Sequence, residues 1–409
     1  MSFEIIMLIS TSIFFVGIYR NVSIWFMGRR RGKINSFKEW LKNLTENGLA
    51  NRRLLKRDRF SYVMHMCIMW GMILLLGGEI LRVLEVHTPL SFLNDEFYLN
   101  YSLILDIAGI SLITGVILDM IRRTVIGTAR LDYTRDEAII LVLLLFIGIT
   151  GFLNEGNRLY LLQPTEMDRS PFGTLFSYIF QSLSFPQVIE LNVILYWEHI
   201  IAVAILIAYF PFSKLFHNIA APINIIMQSG NEASLLSYFK GSEDEGVKKR
   251  EELFTMGQLV MLDACTTCGI CQSVCPAYEV DGEYFSPKRV VQSVKSYIKQ
   301  KHGFSARYLG RQKDNPLLET HVSDKSNLRE ALWFCTNCWA CIKNCPVLVN
   351  PVSFVDGIRG HMVEEGIVSR THQDALTNTF RYGNPWGELE NKRSEWAKGL
   401  EIKDLSKKK

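Results

Sequence analysis

Five apolar runs, each on the scale of a bilayer crossing, fill the first half of this sequence: about residues 4–27, 60–86, 101–121, 137–153 and 190–212. A helix needs roughly 20 such residues to span the hydrocarbon core, so the chain is expected to begin as a bundle of five membrane helices. The fourth run is short, but its IILVLLLFIGITGFL segment is apolar all round. A semi-apolar piece between Asn154 and Gln187, FGTLFSYIFQSLSF, reads as an interfacial helix rather than a sixth crossing. After Ser213 the residues carry mixed charge in ordinary amphipathic stretches, so the 48% hydrophobic average belongs mostly to the first half.

The loops supply an orientation. Eleven Lys and Arg residues lie between Arg29 and Arg59, and Arg122, Arg123, Arg130 and Arg135 follow the third run. The stretch from His87 to Asn100 has no Lys or Arg, and the one after the fourth run has only Arg158 and Arg169. Cytoplasmic loops hold the basic excess, which puts the N-terminus outside and the second half in the cytoplasm. A net charge of +4 concentrated in those loops excludes nucleic acid as the natural partner. The opening MSFEIIMLIS has no basic stretch before its apolar residues, so it reads as a retained helix rather than a cleaved signal.

Histidines stand where polar groups are costly. His199 and His217 are 18 residues apart, which on one continuous helix is ~27 Å and five full turns, hence one face. His65, near the cytoplasmic start of the second run, matches the depth of His217. Two neutral imidazoles facing each other across such a bundle suit the iron of a b-type haem. His199 has no histidine opposite it: His87 lies about one turn off in depth, Met72 is the other candidate ligand, and His199 could equally bind no metal. Glu79 and Arg82, spaced i, i+3 in the second run, either pair with each other or help form a quinone or proton site.

Eight of the nine cysteines fall into two runs, LDACTTCGICQSVCPAY and ALWFCTNCWACIKNCPV. Each is C-x2-C-x2-C-x3-C-P, the spacing that holds [4Fe–4S] clusters, and in two-cluster proteins the fourth cysteine of each run serves the other cluster. Cys265, Cys268, Cys271 and Cys345 would then form one set, and Cys335, Cys338, Cys341 and Cys275 the other. A zinc site is excluded by the two C-x2-C steps followed by C-x3-C-P in each run. The remaining Cys67 reads as a small core hydrophobe. About 60 residues with amphipathic pieces such as SPKRVVQSVKSYIKQ separate the runs, pointing to a helical ferredoxin domain. No nucleophile–base pair, Gly-rich phosphate loop or flavin site is visible.

The PFSKLFH segment, with a second histidine 18 residues upstream of His217, resembles the cytochrome b (gamma) subunit of respiratory nitrate reductase. That resemblance implies five spans, a cytoplasmic C-terminus and two b haems, with His65 as the inner ligand of the second span and His217 and His199 as those of the fifth. The family's other second-span histidine falls where this chain has Leu75. The two cysteine runs, with the later VEEG and GNPWG segments, resemble the iron–sulfur subunits of heterodisulfide reductase and anaerobic glycerol-3-phosphate dehydrogenase type. Many of those proteins continue into cysteine-rich CCG domains, and this chain has no CC pair.

The expected architecture is therefore all-α. Residues 1–220 would form a five-helix transmembrane cytochrome b bundle, 221–385 a cytoplasmic α-helical ferredoxin domain, and 386–409 a polar docking tail. The expected cofactors are two [4Fe–4S] clusters, one or two b haems, and a quinone or methanophenazine-type carrier drawn from the lipid. The expected role is electron transfer between that carrier pool and a cytoplasmic catalytic subunit, either one that carries CCG domains or a different partner. The alternative is a haem-free anchor for a ferredoxin-like domain serving an electron-transfer flavoprotein or another soluble partner.

Overall fold

The computed structural model describes residues 2–28, 36–89, 93–163, 169–227, 254–302, 327–392 and 394–400. Arg29, Arg30, Arg31 and Lys33, and the C-terminal residues 401–409 with their KKK ending, lie outside the described residues. All regular structure among the described residues is helical.

Five helices are long and apolar enough to cross a membrane: α1 (Ser2–Trp25), α2 (Arg59–His87), α3 (Asp95–Ile121), α4 (Arg135–Leu162) and α5 (Phe185–Tyr209). Neighbours in sequence pack together from α2 to α5, and α1 packs on α5. Glycine sets the closest approach. A Cβ on Gly71 of α2 would stand 2.9 Å from the Ala108 carbonyl of α3, and one on Gly115 of α3 would stand 2.9 Å from Cys67 Cβ. Small residues let helix backbones meet where burial of apolar surface offers no driving force. Cys67 sits at this α2–α3 seam, and its carbonyl accepts from Ser111 Oγ at 3.2 Å.

The fourth span continues nine residues beyond the expected end at residue 153. Asn154 and Asn157 past that point face α5 and are satisfied there: Asn154 Nδ2 donates to the Leu195 carbonyl (3.0 Å), Asn157 Nδ2 to the Val188 carbonyl (3.2 Å), and Asn192 Nδ2 to Asn157 Oδ1 (2.7 Å). The segment after α4 does not cross. It forms the short helix Pro171–Ser177 and a 3-10 turn, Tyr178–Ser182. Asp106 of α3 accepts from the Phe172 and Gly173 N–H groups at 2.9 Å each, which ties the segment to the bundle.

The fifth span does not run unbroken to His217. Helix α5 ends at Tyr209, and two 3-10 turns, Phe210–Phe212 and Lys214–Phe216, flank an extended Ser213 before α6 (His217–Met227) begins. Pro211 has no N–H to continue the ladder, and Ser213 Oγ caps the Leu215 N–H at 3.2 Å. His199 and His217 therefore lie on different helices, and five turns of one helix do not relate them.

The described chain divides into two compact units, 1–354 and 355–409. The first holds the five spans, α6, α7 (Met256–Ala264), α8 (Pro287–His302) and both cysteine runs. Helix α7 is buried from Gln258 to Ala264 and packs on α6. The second unit contains α9 (Arg370–Tyr382), capped by Ser369 and closed by Gly383 in the left-handed region, φ +69°.

Candidate functional site

Acidic residues in the first turn of α4 hold the linker that places His217. Asp136 accepts from the Lys214 N–H at 2.9 Å and from the Tyr209 hydroxyl. Glu137 pairs with Lys214 Nζ and, at 2.5 Å, with Arg123, whose Nε also reaches Asp119 at 2.9 Å. Held this way, the Lys214 carbonyl lies 2.6 Å from His217 Nδ1. A carbonyl only accepts, so Nδ1 carries the proton and Nε2 keeps its lone pair. Desolvation pushes the His217 pKa down to about 4 against the effect of that carbonyl, and the nearby His65, Lys214 and Lys295 push the same way. The imidazole is thus neutral at physiological pH, the form that ligates metal.

His65 lies near enough to His217 that a charge on its ring would disfavour protonation of His217. Its Nδ1 is buried with no hydrogen-bond partner, and Asp119 of α3 and Arg122 just beyond it are its charged surroundings. Two imidazoles, each with an uncommitted ring nitrogen, fit a haem iron.

His199 is placed differently. Its Nδ1 is 2.9 Å from Thr150 Oγ1, whose hydroxyl donates to the Phe146 carbonyl at 2.8 Å. Thr150 therefore accepts from His199, which faces α4, where a Cβ on Gly151 would lie 3.4 Å from its Cε1. Met72 packs in an apolar cluster with Leu112, Val116 and Leu144, and His87 is an exposed last residue of α2. No described contact joins His199 to either. Glu79 and Arg82 are both exposed on α2, and no ion pair joins them among the described residues.

The cysteine loops repeat one backbone path. Cys265 caps the end of α7, Thr267 (φ +54°) and Gly269 (φ +73°) are left-handed, a helical turn follows at Ile270–Ser273, and Cys275 caps Pro276–Val280. In the second run Cys335 follows the turn Leu332–Phe334, Asn337 (φ +51°) and Trp339 (φ +64°) are left-handed, and Cys345 ends the helix Ala340–Asn344. Left-handed residues alternating with right-handed ones aim successive N–H groups into a concavity suited to negative charge.

The thiols group across the runs. Burial and then Cys268 and Cys265 push the Cys345 thiol far up. Burial, then Cys335 and Cys275, push Cys341 up to about 12, and Cys275 feels Cys338 after burial. Cys271 is raised by burial and then by Cys268, Cys265, Cys345 and Cys341, which makes the two groups adjacent. Four such thiolates stand together only with metal charge among them. Among the described residues no three His, Cys, Asp or Glu side chains converge on a single-ion site. The Val349 N–H donates to Cys345 Sγ at 3.2 Å.

Loops of the membrane half clasp these runs. Arg53 Nη1 donates to the Ile342 carbonyl at 3.1 Å, and Asn224 Nδ2 to the Val347 carbonyl at 2.7 Å. Lys288, 2% exposed, donates to the Arg130 carbonyl (2.9 Å) and pairs with Asp132, while Gly269 lies against the Arg130 backbone. Arg53 and Arg130, from the segments after the first and third spans, thus lie on the side of the bundle that carries the cysteines. Sequence reasoning missed Asp136, Glu137 and Lys288. For the first two, the signal was an acidic pair in the first turn of a span, where the helix dipole favours it.

Residues 70–230 match the nitrate reductase gamma subunit family, and residues 261–349 match the 4Fe-4S dicluster domain. This chain joins a nitrate reductase gamma-type membrane domain to a dicluster iron–sulfur domain. The gamma-type match includes His199 and His217 and begins just after His65, and the dicluster match includes all eight clustered cysteines. The EtfAB:quinone oxidoreductase of Syntrophomonas wolfei is 26% identical over 98% of this chain and 60% of its own length. Two components of the dihydromethanophenazine:CoB–CoM heterodisulfide reductase of Methanosarcina barkeri are also similar. One is 28% identical over 35% of this chain and 34% of its own length, and the other is 25% identical over 57% and 94%. The chain thus spans about 60% of the quinone oxidoreductase it resembles along nearly its whole length. No solved structure matches it.

Proposed function

We propose that this chain is the membrane electron-transfer part of an oxidoreductase, linking a quinone or methanophenazine-type carrier to a soluble catalytic partner. One observation carries the reading: the helix that begins at His217, next to His65, packs on the helix that ends at Cys265. The imidazole pair and the first cysteine group thus occupy adjacent ends of two packed elements. Relatives named for quinone and dihydromethanophenazine chemistry support the carrier class, and one named for EtfAB supports a soluble flavoprotein or heterodisulfide reductase-like partner.

His65 and His217 would hold one b haem. Cys265, Cys268, Cys271 and Cys345 would hold one [4Fe–4S] cluster, and Cys335, Cys338, Cys341 and Cys275 the other. When bound, these groups supply one-electron storage at set potentials. The protein's part is to fix the imidazole tautomer through the Lys214 carbonyl and to enclose most of the thiols. Cys338 alone among the eight is exposed, so its group faces the partner. The cysteine side is assigned to the cytoplasm because the basic loops share it. His199 serves as a clamp to Thr150.

The test is the haem-to-iron ratio of the purified chain, by pyridine haemochrome and iron analysis. One haem for every two clusters is expected, with His199→Ala leaving that ratio unchanged. Clusters without any b-type haem would leave only an anchored ferredoxin, and a haem lost with His199 would refute the single-haem assignment.

A further inference from the structure

A buried layer joins the histidine end of the bundle to the first cysteine group. The Trp25 indole at the end of α1 donates to Asp263 Oδ2 at 2.9 Å, and its ring lies 5.7 Å from that of Phe216, the residue before His217. Asp263 is the penultimate residue of α7, two before Cys265. Its Oδ1 is 3.2 Å from Lys295 Nζ and 3.4 Å from Lys299 Nζ, both on α8. Trp25 and Asp263 are 3% and 6% exposed, and the Lys295 side chain is 22% exposed against 38% for Lys299.

Lys295 stands at the join of the two sites. It pairs with Asp263, two residues before Cys265, and Asp263 holds the Trp25 ring that lies against Phe216, the residue before His217. Partly buried charges are screened far less than exposed ones. Adding an electron to either centre adds negative charge, so a fixed cation nearby favours the reduced state of both. Asp263 offsets part of that field, but it is shared with Lys299, and Trp25 holds its other oxygen.

We propose that Lys295 is a positioning residue shared by two redox centres: held by Asp263 between the His65–His217 site and the Cys265–Cys268–Cys271–Cys345 site, it raises both reduction potentials together. This deepens the proposed function and rests on it. It also orders the centres, because the cysteine group next to Lys295 is the one next to the imidazole pair, and the group with exposed Cys338 is the outer one.

The experiment uses the full purified chain with its cofactors, titrating the haem by absorbance and the clusters by EPR. Cys268→Ser and Cys338→Ser variants tell the two cluster signals apart. Lys295→Met is expected to lower the midpoint potentials of the haem and of the Cys268-sensitive cluster, leaving the Cys338-sensitive cluster in place. Lys295→Arg should restore both, and a shift confined to these two centres is what a merely structural role would not produce. Lys295→Gln gives the same readout should the Met variant fail to fold. Unmoved potentials, a shift in only one centre, or an equal shift of all three in a haem-loaded variant would overturn this inference alone. A wild-type chain with no haem would overturn the proposed function and this inference with it.

Discussion

His217 Nδ1 stands 2.6 Å from the carbonyl oxygen of Lys214, and that bond decides which ring nitrogen is left to bind a metal. The bond exists because α5 stops at Tyr209 and the chain is re-aimed through Ser213 before α6 begins. His217→Ala or His65→Ala should each abolish the b-type absorbance and leave both cluster EPR signals intact. Haem retained in either variant would remove the pair from the ligand assignment.

Glu137 is the anchor of that linker. It is 7% exposed and faces both Lys214 and Arg123. Glu137→Ala leaves Lys214 without its carboxylate and Arg123 with Asp119 alone, and removing one partner of a buried pair costs about 3 kcal/mol or more. Thermal unfolding in detergent should show a large drop. Glu46→Ala, which breaks an exposed pair with Arg52 (3.0 Å), should change stability by no more than about 0.5 kcal/mol. Equal effects would mean the linker does not depend on Glu137.

Gly269 meets two demands at once. Its φ is +73°, where a Cβ is strained, and a Cβ there would collide with the Arg130 backbone. Gly269→Ala should therefore disturb the cluster of the Cys265 group and leave the Cys338-sensitive EPR signal unchanged. Trp339 occupies the equivalent place in the second run at φ +64°, which shows that the backbone shape alone tolerates a side chain. The close approach of Arg130 is what forbids one at Gly269, and an unaltered EPR spectrum in the alanine variant would refute that.

Asp58 couples stability to pH. Burial alone would raise its pKa, but bonds from the Ser61 hydroxyl and backbone N–H, together with Arg130, outweigh this and hold the carboxyl below its ordinary range. A carboxyl depressed in the folded state stabilises fully above its unfolded pKa, and that stability is lost as pH falls through the folded value. The wild-type chain should lose stability below about pH 4. Asp58→Asn keeps a capping side chain but should be less stable at neutral pH and less sensitive to acid. Unfolding midpoints between pH 7 and pH 3 would show the two curves converging, and parallel curves would exclude Asp58 as the titrating group.

Much was readable from the residues in order. Span number follows from the length of each apolar run, and the dicluster domain from two runs of C-x2-C-x2-C-x3-C-P, because both signals are local. The extension of α4 past residue 153 was not readable, since Asn154 and Asn157 look like helix-ending polar residues until α5 supplies their acceptors.

By itself, then, the sequence determined that this is a five-span helical membrane chain joined to a dicluster iron–sulfur domain. The tertiary structure alone decided where the functional residues stand relative to one another. His199 and His217 share a helical face only on a continuous helix. Glu137, 77 residues before Lys214, holds the linker that breaks that helix and turns His217 toward His65. Lys295 likewise reaches Asp263 and the Cys265 loop from a separate helix. Periodicity records which face of its own helix a residue occupies; which partner meets that face is set by packing between segments far apart in the chain.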